Sequence, residues 1–257
     1  NSGDTPGYMR YHEYAQDILT KKNPLKWLAS QEHVYHGVAQ NLPKKGRILE
    51  VGCGLGYFFY VFAMGGYEVL GIDISQEAIT AATNRYGNHF KKQDFFEMNK
   101  QQHGAYDAII MIELIEHVED PERYLTHAKS LLREGGRVIV TTPNRSWYED
   151  TAALWASDLP PVHLTWFSED GMNRLSERAG YRVEKVSYVL FNILHGSVVG
   201  PPHNIEINPP FFTATGQPLF PKFVHSRTCH LARRLRIFTV IKRLLNFKQK
   251  IGEIVRV

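Results

Sequence analysis

Arg47-Ile48-Leu49-Glu50-Val51-Gly52-Cys53-Gly54-Leu55-Gly56 is the stretch on which the fold turns. It opens with a short, β-branched, mostly apolar run, as a strand buried on both faces of a parallel sheet requires. Glycines at alternate positions follow, where the backbone can bend sharply and approach a ligand that a side chain would exclude. Residues 57–64 (YFFYVFAM) then take helical spacing. The same alternation recurs downstream. Residues 68–72 (EVLGI), 106–112 (YDAIIMI) and 137–141 (RVIVT) read as strands, and 75–86 and 121–132 as helices. Ser75 and Asp120 are predicted N-caps, with Pro121 in a first turn that tolerates proline. Strand and helix at this pitch predict an α/β fold with a Rossmann-like, doubly wound, mostly parallel sheet.

Working outward, residues 8–42 read as helical, broken at Asn23-Pro24 and stopped at Leu42-Pro43, and form an N-terminal helical cap over 1–45. The core is predicted over 46–190, closing with a helix from 168 to 179 and a strand near 181–188. Residues 191–257 read as a C-terminal extension: six of the thirteen prolines lie between 200 and 221, followed by a basic amphipathic helix. Apolar residues make 43% of the 257 and charged residues 22%, which excludes a disordered or fibrous chain. Two cysteines, Cys53 and Cys229, cannot build a disulfide framework, and they suit a reducing, cytoplasmic setting. No window reaches the roughly 18 apolar residues that a bilayer span demands.

The glycine spacing separates cofactors. A dinucleotide fingerprint needs glycine at position 57, which is Tyr57. GxGxG after an acid, with Asp73 ending the second strand, Asp94 where the third should end, Asp107 opening the fourth and Leu131-Leu132-Arg133-Glu134-Gly135-Gly136 before the fifth, resembles the class I S-adenosylmethionine-dependent methyltransferases. The resemblance covers about 43–188. It implies S-adenosyl-L-methionine as cofactor, with contacts from Glu50, Gly52, Gly54, Gly56, Asp73, Ile74, Asp94, Phe95 and Ile112. In that family the second-strand acid meets the ribose hydroxyls and the third-strand acid the adenine amino group. The cofactor's methyl group is electrophilic, so the protein has mainly to align a nucleophile with it.

After the fourth strand comes Glu113-Leu114-Ile115-Glu116-His117. At the carboxyl end of a strand in an open α/β sheet, this run lies at the ligand crevice. In a helical turn Glu113, Glu116 and His117 would share one face. Two carboxylates and an imidazole suit Mg²⁺ or Mn²⁺. His163, just beyond the fifth strand, is predicted to return over the same crevice. The ExxEH run resembles both the ubiquinone-biosynthesis O-methyltransferases and the small-RNA ribose 2′-O-methyltransferases. The second resemblance implies a metal held by Glu113, Glu116, His117 and His163. With no metal, His117 or His163 is the general base, and Glu116, His117 and His163 carry the catalysis either way. Asn144 reads as a substrate contact or a turn residue, Trp147, Trp155 and Trp166 as a pocket roof or packing, and His33, His36 and His103 as surface or core.

From residue 222 onward ten Lys/Arg face one acid, a charge of +9, whereas the rest of the chain carries −5. A basic amphipathic tail fits a membrane surface, and so a peripheral location and a lipid-linked, glycan or other small-molecule acceptor. Binding along a nucleic acid backbone ranks lower, since no RNA-binding module is present. The expected activity is O-methylation of a hydroxyl. RNA ribose 2′-O-methylation and a non-catalytic partner-binding role on the same fold are the alternatives.

Overall fold

The computed structural model describes residues 9–98, 102–144, 162–186, 188, 191 and 252–256. Three helices lead: α1 (Met9–Asp17), α2 (Pro24–Ala29) and α3 (His33–Asn41). Asn23 caps α2 by accepting the Lys26 amide, with Pro24 in the first turn. The helix expected to run unbroken from Pro24 to Gln40 is therefore two helices, split at 30–32. The alternating core follows: β1 (Arg47–Val51), α4 (Tyr57–Met64), β2 (Glu68–Asp73), α5 (Gln76–Tyr86), β3 (Phe90–Lys92), β4 (Tyr106–Ile112), α6 (Pro121–Leu131), β5 (Leu132–Thr141), α7 (Glu169–Arg178) and β6 (Arg182–Val186). Ser75, Asp120 and Ser168 cap α5, α6 and α7, each accepting a backbone amide three residues on.

The strands form one seven-stranded sheet in the order β3-β2-β1-β4-β5-β7-β6. β1 to β5 run parallel, and β7 (Gly252–Arg256) lies antiparallel between β5 and β6. This corrects the domain reading at the C-terminus: 252–256 belong to the core sheet rather than to an appended tail. Without that strand, β5 and β6 would present unpaired ladder groups to each other across a gap. The 133–136 turn is also absorbed into β5, whose pairing with β4 slips register between Tyr106 and Ala108. The proline-rich stretch, the amphipathic helix, Trp147 and Trp155 lie outside the described residues. No described helix is long and apolar enough to cross a membrane.

Period-two alternation sorts the core onto two faces. Ile48, Ala108, Ile110 and Ile139 pack with α4 and with Ala15, Ile18, Leu28, Tyr35 and Val38 of the N-terminal helices. Leu49, Ile109, Met111, Val138 and Val140 pack against α6 and α7 through Leu125, Ala128, Leu131, Met172 and Leu175. The N-terminal helices are thus a layer of the core itself, pinned further where the Tyr86 hydroxyl donates to the Ala15 carbonyl at 2.6 Å. The parallel strands converge their carboxyl ends on one edge, and the glycine loop and the ExxEH run both sit there.

Candidate active site

The glycine loop is built from backbone. Gly52, Gly54 and Gly56 have φ of 73°, 49° and 74°, in the left-handed region that favours glycine. A Cβ at Gly56 would lie 2.6 Å from the Phe90 ring and 2.7 Å from the Ala82 methyl, so helix and strand close over it. A Cβ at Gly54 would meet nothing within 4 Å. The loop is open there, as a ligand-facing turn requires. Asp73 ties the crevice together: one carboxylate oxygen accepts the Gly54 amide at 3.0 Å and the other the Ser75 amide at 2.8 Å. Each oxygen keeps a second acceptor direction for a hydroxyl. Ile74, next along, is 74% exposed, an apolar platform beside that carboxylate. Glu50 is buried beneath the loop, and its Oε2 has no hydrogen-bond partner. Burial lifts this carboxyl well above the usual range, and the Asp73 charge adds to the effect. An unpaired buried acceptor beside an open glycine turn fits an adenosyl cofactor with a cationic amino-acid end. Cys53, also buried, has its thiol pushed up by burial and is no nucleophile.

Asp94 caps a 3₁₀ turn, Phe95–Glu97, accepting the Phe96 amide at 2.8 Å, and is exposed. Phe95 follows on that turn. Its ring is 3% exposed and stacks on Tyr124, so only its backbone can face a ligand. Ile112 ends β4 at the crevice, half-buried.

The ExxEH run does not form the expected helical turn from Glu113. Glu113 has φ of 47°, the only positive value for a non-glycine among the described residues. A 3₁₀ turn begins only at Ile115 and ends at His117. Among the described residues, Glu116, His117 and His163 bring one ligand atom each within 4.8 Å of one another. Glu113 stands outside that trio, because its left-handed backbone breaks the shared face. Its amide donates to the Thr141 carbonyl at 3.0 Å, anchoring it to the end of β5. Glu113 is exposed, yet the protein packed near it raises its carboxyl, with Thr141 hydrogen bonding and His163 working against the rise.

His163 reaches the trio from 46 residues downstream because the Glu116 carbonyl accepts both the Leu164 amide at 2.8 Å and the Thr165 amide at 3.1 Å. His117 Nδ1 lies 2.5 Å from the Val162 carbonyl. A carbonyl can only accept, so Nδ1 carries the hydrogen and Nε2, 4.0 Å from Glu116 Oε1, keeps its lone pair. Burial lowers the His117 pKa against that hydrogen bond's opposite pull, which favours the neutral ring at neutral pH. Glu116 is 1% exposed and His163 7%.

The sequence reading missed a polar cluster on the N-terminal helices. Glu32 is buried, 2.8 Å from Arg10 Nε, and accepts the Tyr14 hydroxyl at 3.0 Å. Arg10 donates to the Tyr11 hydroxyl at 2.7 Å. Desolvation raises Tyr11 to about 12, with Glu113 among the charges acting on it. These N-terminal residues therefore lie close enough to Glu113, at the end of β4, for their charges to interact. No short motif marks these residues; only the pairing of an acid just before a helix with a distant Arg could have. His33 packs edge-on against Tyr188 with centroids 4.7 Å apart, and Asn144 bridges to Phe167, its amide 3.4 Å from Glu169, so both serve packing and turn geometry.

Fold and site together define a nucleotide-cofactor enzyme of the doubly wound class, with a glycine loop, acids on successive strand ends and a His/Glu centre opposite. A family described as "Methyltransferase domain" matches residues 27–186. The ubiquinone biosynthesis O-methyltransferase of Coxiella burnetii is 30% identical over 196 residues, 66% of this chain and 82% of the relative. A methyltransferase structure from Archaeoglobus fulgidus shares the fold at a TM-score of 0.53, with 16% identity over 96% of this chain and 98% of that one. The chain belongs to the class I S-adenosylmethionine-dependent methyltransferases.

Proposed function

We propose that the protein methylates a hydroxyl oxygen on a small-molecule or lipid-linked acceptor, and that a divalent cation held by Glu116, His117 and His163 assists. The observation that carries this reading is the convergence of those three side chains within 4.8 Å at the carboxyl end of β4. One carboxylate and two imidazoles make an N/O donor set suited to a divalent ion, and the Val162 carbonyl orients one of the rings from behind. The name of the Coxiella relative, a ubiquinone biosynthesis O-methyltransferase, supports oxygen as the methylated atom.

When bound, S-adenosylmethionine supplies an electrophilic methyl group, and a divalent ion would supply positive charge that eases loss of the acceptor's proton. The chain's own residues do the rest. Asp73 accepts the ribose hydroxyls, Asp94 the adenine amino group, and Glu50 offers its unpaired oxygen to the cofactor's amino-acid end. The glycine loop lets the backbone approach closely. On the other side the solvent-exposed Glu113 receives the acceptor. The Val162 carbonyl holds the His117 hydrogen on Nδ1, so it is Nε2 that would face the ion. The tail of positive charge beyond residue 222 would bring the enzyme to an anionic membrane surface, where a lipid-linked acceptor resides.

The test titrates Mn²⁺ into protein saturated with S-adenosylhomocysteine and follows the free ion by electron paramagnetic resonance. Wild type should bind about one ion, Glu116→Gln should bind at least tenfold more weakly, and S-adenosylhomocysteine affinity should be the same in both. Equal Mn²⁺ binding in the two proteins would remove the metal. A product methylated on nitrogen or carbon would remove the O-methyl reading.

A further inference from the structure

α6 leaves the ExxEH loop at Pro121 and spends its middle turns on the opposite end of the crevice. Three of its residues grip the 3₁₀ turn that follows Asp94. Tyr124 stacks on the Phe95 ring, centroids 5.5 Å apart and planes at 29°, and meets Phe96 edge-on at 4.8 Å. The Arg123 guanidinium lies 3.9 Å over the Phe96 ring. His127 Nε2 lies 3.0 Å from the Phe95 carbonyl, which can only accept, so that nitrogen carries a hydrogen.

The peptide unit between Phe95 and Phe96 is held at both ends. Its carbonyl takes the His127 hydrogen bond, and its N–H is the group that the Asp94 carboxylate accepts at 2.8 Å. A peptide unit is planar and rigid, so fixing its oxygen fixes the direction of its N–H. The same carbonyl also accepts the Met98 amide at 3.3 Å, the long bond that closes the 3₁₀ turn. The imidazole adds a second, shorter bond to that oxygen and so narrows the directions the plane can take.

We propose that His127 is a positioning residue for the cofactor's adenine end: through the Phe95–Phe96 peptide it sets the direction in which the Asp94 carboxylate presents itself to the adenine amino group. This rests on the reading of Asp94 given above. Packing alone would leave His127 contributing to stability and to every ligand alike. Positioning makes its effect specific to a ligand that carries the amino group.

The experiment measures binding of S-adenosylhomocysteine and of S-inosylhomocysteine, in which a carbonyl oxygen replaces that amino group, by isothermal titration calorimetry. Wild type should prefer the first by tenfold or more, roughly the value of one charge-assisted hydrogen bond. Asp94→Ala should abolish the preference. His127→Phe, which keeps a ring against Phe95 and removes the donor, should bind S-adenosylhomocysteine about tenfold more weakly and S-inosylhomocysteine nearly as well as wild type. His127→Gln, which keeps an N–H donor, should recover most of the preference. A wild-type preference in His127→Phe, or a parallel loss for both ligands, overturns the positioning role and leaves Asp94 untouched. An unchanged preference in Asp94→Ala, or none in wild type, overturns the reading of Asp94 and the proposal with it.

Discussion

The two halves of this crevice are made of different materials. The half we assign to the cofactor is mostly backbone: glycines at 52, 54 and 56 with positive φ, an aspartate at each of two strand ends, and amides of Gly54, Ser75 and Phe96 turned onto those carboxylates. The half we assign to the acceptor is side chains from distant segments: Glu113, Glu116 and His117 after β4, His163 from a later loop, and Arg10, Tyr11 and Glu32 from the N-terminal segment. A backbone site tolerates almost no change in its own residues. A side-chain site can be rebuilt one residue at a time, so the same fold can keep its cofactor while its acceptor varies.

The glycines give the sharpest way to break that contrast. Gly56→Ala brings a methyl within 2.7 Å of both Phe90 and Ala82 at a φ of 74°, and neither neighbour is the far end of a flexible chain. Clash and left-handed strain together should cost about 3 kcal/mol or more, read as a lowered denaturant midpoint. Gly54→Ala has the φ penalty without the clash and should cost about 1 kcal/mol. It should nonetheless weaken S-adenosylhomocysteine binding more than its stability loss suggests, since its Cβ enters the ligand's space. Equal stability losses at the two positions would mean that the loop is not shaped by its packing.

On the acceptor side the corresponding probe is pH. Burial lowers His33 to about 4, with the Arg10 charge adding to the shift. An unfolded histidine binds its proton near pH 6.5, so the unfolded chain holds more protons than the folded one below that value. The stability this ring contributes is therefore complete above about pH 6.5 and is lost as pH falls towards 4. His33→Phe keeps an edge for Tyr188 and removes the titration. The stability of wild type relative to this variant should fall by roughly 2 kcal/mol between pH 6.5 and 4. A pH-independent difference would show that the imidazole is not held neutral in the folded chain.

Legibility followed the same division. Most of the half assigned to the cofactor lies in contiguous runs, each glycine or acid next to the strand that places it, so the sequence shows where residues 47–56 and the acids at 73 and 94 fall in the fold. For Phe95 the motif names a position and not the face its ring takes, which is the core. Glu113 was misread because the 3.6-residue period was assumed to start at the strand end, whereas a 3₁₀ turn starts at Ile115. β7 was misread for want of hydrophobic length: five residues containing Glu253 and Arg256 look like a tail until β5 and β6 supply the ladder on either side. Arg10 and Glu32 carry no local signal at all. Their meeting is a product of tertiary packing.

Glu113 is where the two halves can be compared at a single residue. It holds a φ of 47°, which the cofactor half assigns to glycine at every comparable position. An l-residue with a long side chain in that region stores on the order of 1 kcal/mol of strain, kept only where the surrounding structure or the function requires it. Asparagine adopts the region more readily. Glu113→Asn should therefore raise stability by up to about 1 kcal/mol in chemical denaturation, the smallest of these effects, while lowering turnover and leaving S-adenosylhomocysteine affinity as it was. Stability that falls instead would mean that the Thr141 hydrogen bonding at the end of β5 outweighs the strain, and that Glu113 is there to join two strands. Stability that rises with turnover unchanged would mean that the carboxylate does not serve the acceptor. The outcome expected here, a more stable and slower enzyme, is what a residue retained for its chemistry against its own backbone preference must give.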